Sequence, residues 1–234
     1  MSLYLTRAEL DRHAGAAALA PLLDPPAPGR AADAHHRLMW SLFPDRDAAR
    51  DFLWRADGQG RFFVLSRRPP AQSSLFRPLA TTPFEPVLAR GDRLAFLLRA
   101  NATRQRRLPT DAGRRPRRVD LVMDVLHGIP GQTQLDTGET SERPARRTDI
   151  ARTEASNWFA SQGKRHGFTA ECVLVDDYSV RRIPRGRHRP ITLGVLDLRG
   201  ILIVNDITDF LSKLASGYGR GKAFGCGLML IRRA

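Results

Sequence analysis

The chain has 234 residues, with 38 Lys and Arg against 24 Asp and Glu for a formal charge of +14, and 42% of its residues are hydrophobic. That is enough apolar material for one large domain or two small ones, and the cationic excess favours a polyanionic partner, nucleic acid first; the alternative is an Arg-rich composition imposed by the genome alone. Two cysteines, Cys172 and Cys226, exclude a disulfide framework and an all-cysteine zinc site. The opening segment lacks a signal-peptide pattern and no apolar run approaches the ~20 residues of a membrane span. A soluble, cytoplasmic protein with no membrane partner is expected.

In chain order, Ser2 to Leu10 alternates around Leu3 and Leu5 and predicts a strand. Pro21 to Gly29 predicts a loop. From Ala31 the spacing of His36, Met39, Trp40 and Phe43 predicts a helix ended by Pro44. Phe52 to Ala56 and Arg61 to Ser66 predict a hairpin around Asp57-Gly58-Gln59-Gly60. Ser73 to Ala80 predicts a short helix, and Arg93 to Ala100 a strand with Leu94, Phe96 and Leu98 on one face. Strand, helix, strand, strand, helix, strand is the ferredoxin-like order.

Residues 104–113 are polar, basic and unpatterned and predict a linker. Arg117 to Met123 opens a second unit, interrupted from Asp124 to Thr148 by a segment read as a long, partly disordered loop. Asp149 to Gly163 predicts a helix; Phe168 to Val175, Tyr178 to Ile183 and Pro190 to Val204 predict strands, the last bulged at Gly200. Asp206 is the expected N-cap of a helix burying Phe210, Leu211 and Leu214, and Phe224 to Ile231 the closing strand. The expected fold is α+β, with tandem ferredoxin-like (βαββαβ, RRM-like) domains over 1–103 and 114–234. The duplication rests on element order, since the halves share no obvious sequence repeat.

Two segments carry candidate chemistry. The run Gly217-Tyr218-Gly219-Arg220-Gly221-Lys222-Ala223-Phe224-Gly225-Cys226-Gly227 joins a helix to a strand. Phosphate-binding nucleotide loops precede a helix instead, so this order excludes both the Walker loop and the dinucleotide fingerprint. Exposed N–H groups, Arg220 and Lys222 suit phosphate contact; the plainer reading is a glycine turn before a tightly packed strand. The second segment, Arg181-Arg182-Ile183-Pro184-Arg185-Gly186-Arg187-His188-Arg189, predicts a hairpin with an all-cationic tip. Like charges there repel unless a polyanion is present; the alternative is a solvated surface turn. Arg99, Arg104 and the Arg106-Arg107 and Arg114 to Arg118 clusters extend the basic surface. Aromatics are only 7% and no central strand carries an aromatic RNP stretch, so phosphate contacts along a double-stranded stem are expected over base stacking. No Asp, Glu and His set has metal-ligand spacing.

The glycine run, closing a duplicated ferredoxin-like chain, resembles the repeat-cutting RNA endonucleases of CRISPR systems. Further segments narrow the resemblance to the CasE subfamily, the processing subunit of type I-E Cascade: His36 to Phe43 (HRLMWSLF), Arg50 to Arg55 (RDFLWR), Gly91 to Asn101 (GDRLAFLLRAN) and Leu198 to Leu202 (LRGIL). The resemblance runs from Tyr4 to Leu230. It implies a metal-independent, cofactor-free endoribonuclease that uses the RNA 2′-hydroxyl as nucleophile. It also implies that the enzyme stays on its cut repeat hairpin as a subunit beside the others of Cascade.

The family's catalytic histidine lies four residues before this Trp, which is the spacing of His36 and Trp40. His35 is the adjacent alternative, roughly 100° away around the helix. Family members often carry Tyr three residues before the histidine, where this chain has Asp33; a carboxylate there can raise the His36 pKa or cap the helix but cannot copy a phenol. Arg182 is expected to stabilise the developing charge. Arg99, Arg181, Arg185, Arg187, Arg189, Arg220 and Lys222 are the expected RNA contacts, and Gly217, Gly219, Gly221, Gly225 and Gly227 form an RNA-facing turn that lies across the protein from His36. A non-catalytic RNA-binding scaffold and a generic nucleic-acid binder are the competing readings.

Overall fold

The computed structural model describes residues 2–11, 19–45, 49–106, 116–128 and 142–234, with 142–145 described by their backbone only. Short apolar runs within Phe52–Ala56 and Arg61–Ser66 form most of the buried part of the first sheet. Strands β1 (Tyr4–Glu9), β2 (Phe52–Ala56), β3 (Arg61–Ser66) and β4 (Ala80–Pro83) pair in the order β2-β3-β1-β4, all antiparallel. Successive residues of a strand point to opposite faces. Phe52, Trp54, Phe62 and Val64 therefore meet one core, with Leu38, Met39, Leu42 and Phe43 of the helical segment, while Leu53 and Leu65 reach the other core of the molecule. After the short helix α1 (Ala20–Leu23), helix α2 (Pro28–Trp40) lies over the first of these faces. Pro28 sits in its first turn, where the missing N–H costs nothing, so the helix starts earlier than expected.

The second sheet has the order β10-β5-β9-β8, from β5 (Arg93–Ala100), β8 (Phe168–Arg185), β9 (His188–Val204) and β10 (Met229–Arg233). Its helices are α3 (Leu121–His127), α4 (Glu142–Arg165) and α5 (Ile207–Ser216). Phe159 stacks on Phe96 at 4.5 Å and meets Phe168 at 5.0 Å, joining α4 to the sheet. Asp206 caps α5 as expected, accepting from the Asp209 N–H at 2.9 Å. Phe210 and Leu214 are buried; Leu211 is only half-buried. No helix among the described residues is long and apolar enough to cross a membrane.

Several sequence expectations are corrected. Ser73 to Ala80 is not helical. The Gln72 side chain donates to the Ser73 and Phe76 carbonyls and accepts from the Leu79 N–H, holding a loop whose Phe76 bridges to Leu10. Pro78 adds to the disfavour for a helix there. Arg93 to Ala100 does not close the first sheet: it pairs with β10 and β9 instead, and β4 takes the fourth place in the first. The expected linker begins within a strand, β6 (Thr103–Arg106) pairing with β7 (Arg117–Asp120), while residues 107–115 lie outside the described residues. Of the expected loop from Asp124 to Thr148, 124–127 belong to α3 and 142–148 to α4; 129–141 lie outside the described residues. The two strands expected from Phe168 to Ile183 are one, with register shifts at Ala170/Cys172 and Val175/Asp177. The irregularity expected at Gly200 therefore sits on the facing strand. Gly200 serves close approach instead, since a Cβ there meets the Cys172 carbonyl oxygen at 1.9 Å. The last strand starts at Met229, after a 3₁₀ turn over Lys222–Phe224.

Candidate active site

Helix α2 presents its two adjacent histidines to different surroundings. His35 is 7% exposed, holds Asp24 Oδ1 at 2.9 Å through Nε2, and meets the edges of Phe62 at 4.8 Å and Trp54 at 6.1 Å. Burial lowers its pKa against the opposing pull of Asp24. It is a packed core residue. His36 is half-buried on the other side, its ring centroid 5.6 Å from that of Phe224, and its Nδ1 is buried with no hydrogen-bond partner. Burial is the main force lowering its pKa; the polar backbone of Ala223 opposes it, the Arg50 cation lowers it, Asp33 raises it and Arg37 lowers it. The balance favours a neutral imidazole at neutral pH, the form that accepts a proton.

The glycine run is thus the wall against which His36 rests, and the expectation of a site across the protein from it is corrected. All five expected glycines have positive φ: Gly217, Gly219, Gly221, Gly225 and Gly227. Two show why no side chain fits. A Cβ on Gly225 lies 2.8 Å from the Trp54 ring, and one on Gly219 lies 2.6 Å from the Asn101 carbonyl oxygen. Trp54 and Asn101 thus lie directly against the turn. Lys222 lies in the 3₁₀ turn, its Nζ donating to the Ser216 carbonyl; burial lowers its pKa, helped by Lys213 and Arg50.

Arg50, just before β2, acts on both His36 and Lys222 and is itself half-buried. Sequence reasoning assigned it no role; its signal was a charge two residues before the apolar strand start Phe52-Leu53-Trp54. Asp33 is in ion-pair contact with Arg37 one turn along the helix and does not cap α2, whose N-cap is Ala27. The cap expectation fails because the helix begins five residues earlier, at Pro28.

The basic hairpin is present, with Arg185 and His188 paired across an Arg187-preceding Gly186 at φ +57°. Arg185, Arg187 and Arg189 are exposed, as is Arg182. A Cβ on Gly29 falls 1.9 Å from the Arg182 carbonyl oxygen, so the first turn of α2 sits directly on β8 and brings the hairpin beside the helix. Arg99 is committed within the fold: its guanidinium grips Asp197, with Nε to Oδ1 at 2.9 Å and Nη2 to Oδ2 at 2.9 Å, and donates through Nη1 to the Ala56 carbonyl at 3.2 Å. Arg55 approaches the same carboxylate at 3.4 Å. Arg181 is half-buried beside them. Arg220 is exposed and lines a separate cleft of about 680 Å³ with Arg104, Arg118, Arg165 and Lys213. Among the described residues no three His, Cys, Asp or Glu side chains gather as a metal site.

A family model described as CRISPR associated protein matches residues 3–233. No curated protein matches in sequence. Among solved structures, the chain is similar to Thermus thermophilus Cse3 bound to an RNA representing a pre-cleavage complex, at 21% identity and TM-score 0.66, covering 99% of this chain and 100% of that one. It is also similar to the CRISPR-associated protein Cas6e from Escherichia coli K-12, at 18% identity and TM-score 0.63, with 99% and 100% covered. A chain of a CRISPR RNA-guided surveillance complex matches at 18% identity and TM-score 0.59, again covering 99% and 100%.

Proposed function

The chain belongs to the family of CRISPR-associated proteins, and from that membership we propose that it is the CasE-type endoribonuclease that cuts CRISPR repeat RNA at its hairpin. The observation that carries this reading is His36: a proton-accepting imidazole, lowered in pKa by burial, under the field of the Arg50 cation and packed against Phe224 of the glycine turn. Each four-stranded sheet, counted by its own strands, has the order fourth, first, third, second, which we read as tandem ferredoxin-like units divided before β5 rather than after it.

The reaction is an internal transesterification. His36 takes the proton of the 2′-hydroxyl, the 2′-oxygen forms a bond to the adjacent phosphorus, and the bond from phosphorus to the 5′-oxygen breaks. That oxygen leaves as a 5′-hydroxyl after receiving a proton, and the other product carries a 2′,3′-cyclic phosphate, which a water molecule opens to a 3′-phosphate only in a second step. Arg50 and Lys222 stabilise the charge that builds on the phosphoryl oxygens. Arg182, exposed on β8, comes to the phosphate once the stem lies along the hairpin, and Asp33 tunes His36 by its charge alone. Arg185, Arg187 and Arg189 hold the stem phosphates. Similarity to a chain of an RNA-guided surveillance complex supports retention of the product inside such an assembly, in the cytoplasm.

Incubating the wild type with its repeat RNA in EDTA tests the reading. Cleavage is expected to persist there and to disappear in His36→Ala while hairpin binding remains. Tight binding without any cleavage by the wild type overturns it in favour of a non-catalytic scaffold.

A further inference from the structure

A second cationic site lies on the His35 side of α2. It is a cleft of about 390 Å³ between the two sheets, lined by Arg55, Arg99 and Arg181, with Phe224 as the wall it shares with His36. Three guanidiniums here gather around Asp197, and Asp57 in the same lining acts on Arg55. Asp197 is held by Arg99 at 2.9 Å and reached by Arg55 at 3.4 Å, which leaves Arg181 without an ion-pair partner among the described residues. Asp57 at the rim is in reach of Arg61 at 3.9 Å, and Asp177 acts on Arg181 only through its longer-range field.

The donors are incompletely used. Arg55 Nη1 and Arg181 Nε are buried with no hydrogen-bond partner. Buried, unpaired guanidinium N–H groups are costly, and a cluster of like charges raises that cost. Cys226 behind them offers no compensating anion, since burial pushes its thiol up to about 11. Pro28 and Ala31 of the first turn of α2 line the same cleft, and no side chain caps that helix, so its positive end adds to the field.

We propose that this cleft binds a backbone phosphate of the RNA, distinct from the one cut at His36, and so fixes the strand on the far side of Phe224. The proposal rests on the reading of the chain as a repeat-RNA endonuclease. It adds a subsite set by Arg55 and Arg181, with Asp197 and Arg99 as its rigid floor.

The test uses the full-length protein and repeat RNA made uncleavable by a 2′-deoxynucleotide at the cut. Neutral methylphosphonates, each following a 2′-deoxynucleotide, are placed one at a time at the phosphates flanking the cut, and binding is measured for wild type, Arg181→Gln and Arg181→Lys. Arg181→Gln is expected to weaken binding about 10-fold, as for loss of a charge-assisted contact. One methylphosphonate position is expected to weaken the wild type by a similar factor and to have no further effect in Arg181→Gln, with Arg181→Lys intermediate. Because Arg181 is an unpaired cation among like charges, its removal is expected to leave the melting temperature of the free protein equal or raised. A lowered melting temperature with no coupled position makes Arg181 structural and overturns the proposal. Stabilisation by inorganic phosphate without any coupled RNA position assigns the cleft to a free anion and equally overturns it. Failure of the wild type to bind the hairpin at all refutes instead the endonuclease reading on which it stands.

Discussion

The ring of Phe224 packs 5.6 Å from the imidazole of His36, and through that contact a turn near the C-terminus fixes a side chain on a helix near the N-terminus. The catalytic proposal therefore depends on both halves of the chain, and its consequences can be checked from either side.

The pH profile of cleavage follows from the surroundings of His36. Its pKa is held below 6.5, by burial first, so the neutral base is already dominant at neutral pH. The rate is expected to fall only on the acid side, as pH drops through that lowered value. Arg50→Ala removes a cation that disfavours the imidazolium, so the acid limb is expected to move up toward 6.5 while the plateau rate falls. Single-turnover rates across pH check both; an unmoved limb separates Arg50 from His36.

His35 and His36 also predict the sign of acid instability. Both have pKa values lowered from 6.5 in the folded protein, so the unfolded chain binds more protons as pH falls. The stability they contribute is complete above the unfolded value and is lost as pH drops toward the folded ones. Thermal melts from about pH 7.5 to about pH 5 are expected to show a declining midpoint, with a shallower decline in His36→Gln.

The two histidines should separate cleanly on mutation. His35→Ala removes a ring packed between Trp54, Phe62 and Asp24 and is expected to cost about 2–4 kcal/mol of stability while single-turnover cleavage survives at low temperature. His36→Ala, from a half-buried position, is expected to cost little stability and about 10²–10⁴-fold in rate. Urea unfolding and quenched-flow cleavage measure the two effects.

Gly225→Ala tests the turn itself. Its φ of +77° and the Trp54 ring 2.8 Å from a Cβ predict destabilisation of about 1–3 kcal/mol. Because Ala223 and Phe224 shift with it, cleavage is expected to fall by up to about 100-fold with hairpin affinity little changed.

Neutralising the hairpin tip should act on binding instead. Replacing Arg185, Arg187 and Arg189 with Ala is expected to weaken RNA affinity broadly. The slope of log affinity against log salt is expected to fall by about 0.7–0.9 for each phosphate contact removed. An unchanged slope leaves the tip a solvated turn.

Much of this site was legible in the sequence, and what was not has identifiable causes. The family resemblance, through the spacing of His36 and Trp40, pointed to His36, and glycines at alternate positions foretold a turn that five positive φ angles require. The α2 N-terminus was misplaced because Pro28 reads equally as a loop residue and as a first-turn residue. The strand β5 was assigned to the wrong sheet because alternation fixes which faces a strand presents and leaves its partner open. Arg99 was read as an RNA contact since its grip on Asp197, 98 residues away, leaves no local pattern. Arg50 and Arg55 went unassigned for the same reason: their neighbours come from distant turns of the chain.

The grip of Arg99 has a thermodynamic corollary. From β5 it holds Asp197 on the neighbouring strand β9 and, with the same guanidinium, the Ala56 carbonyl at the end of β2, while Leu53 and Leu65 of the first sheet are buried in the core of the second. Neither half owns a complete interior. Cutting the chain between them exposes apolar surface on both pieces and leaves Arg99 Nη1 without the Ala56 carbonyl it donates to. Heating should accordingly melt the molecule in a single cooperative step, with calorimetric and van't Hoff enthalpies in agreement.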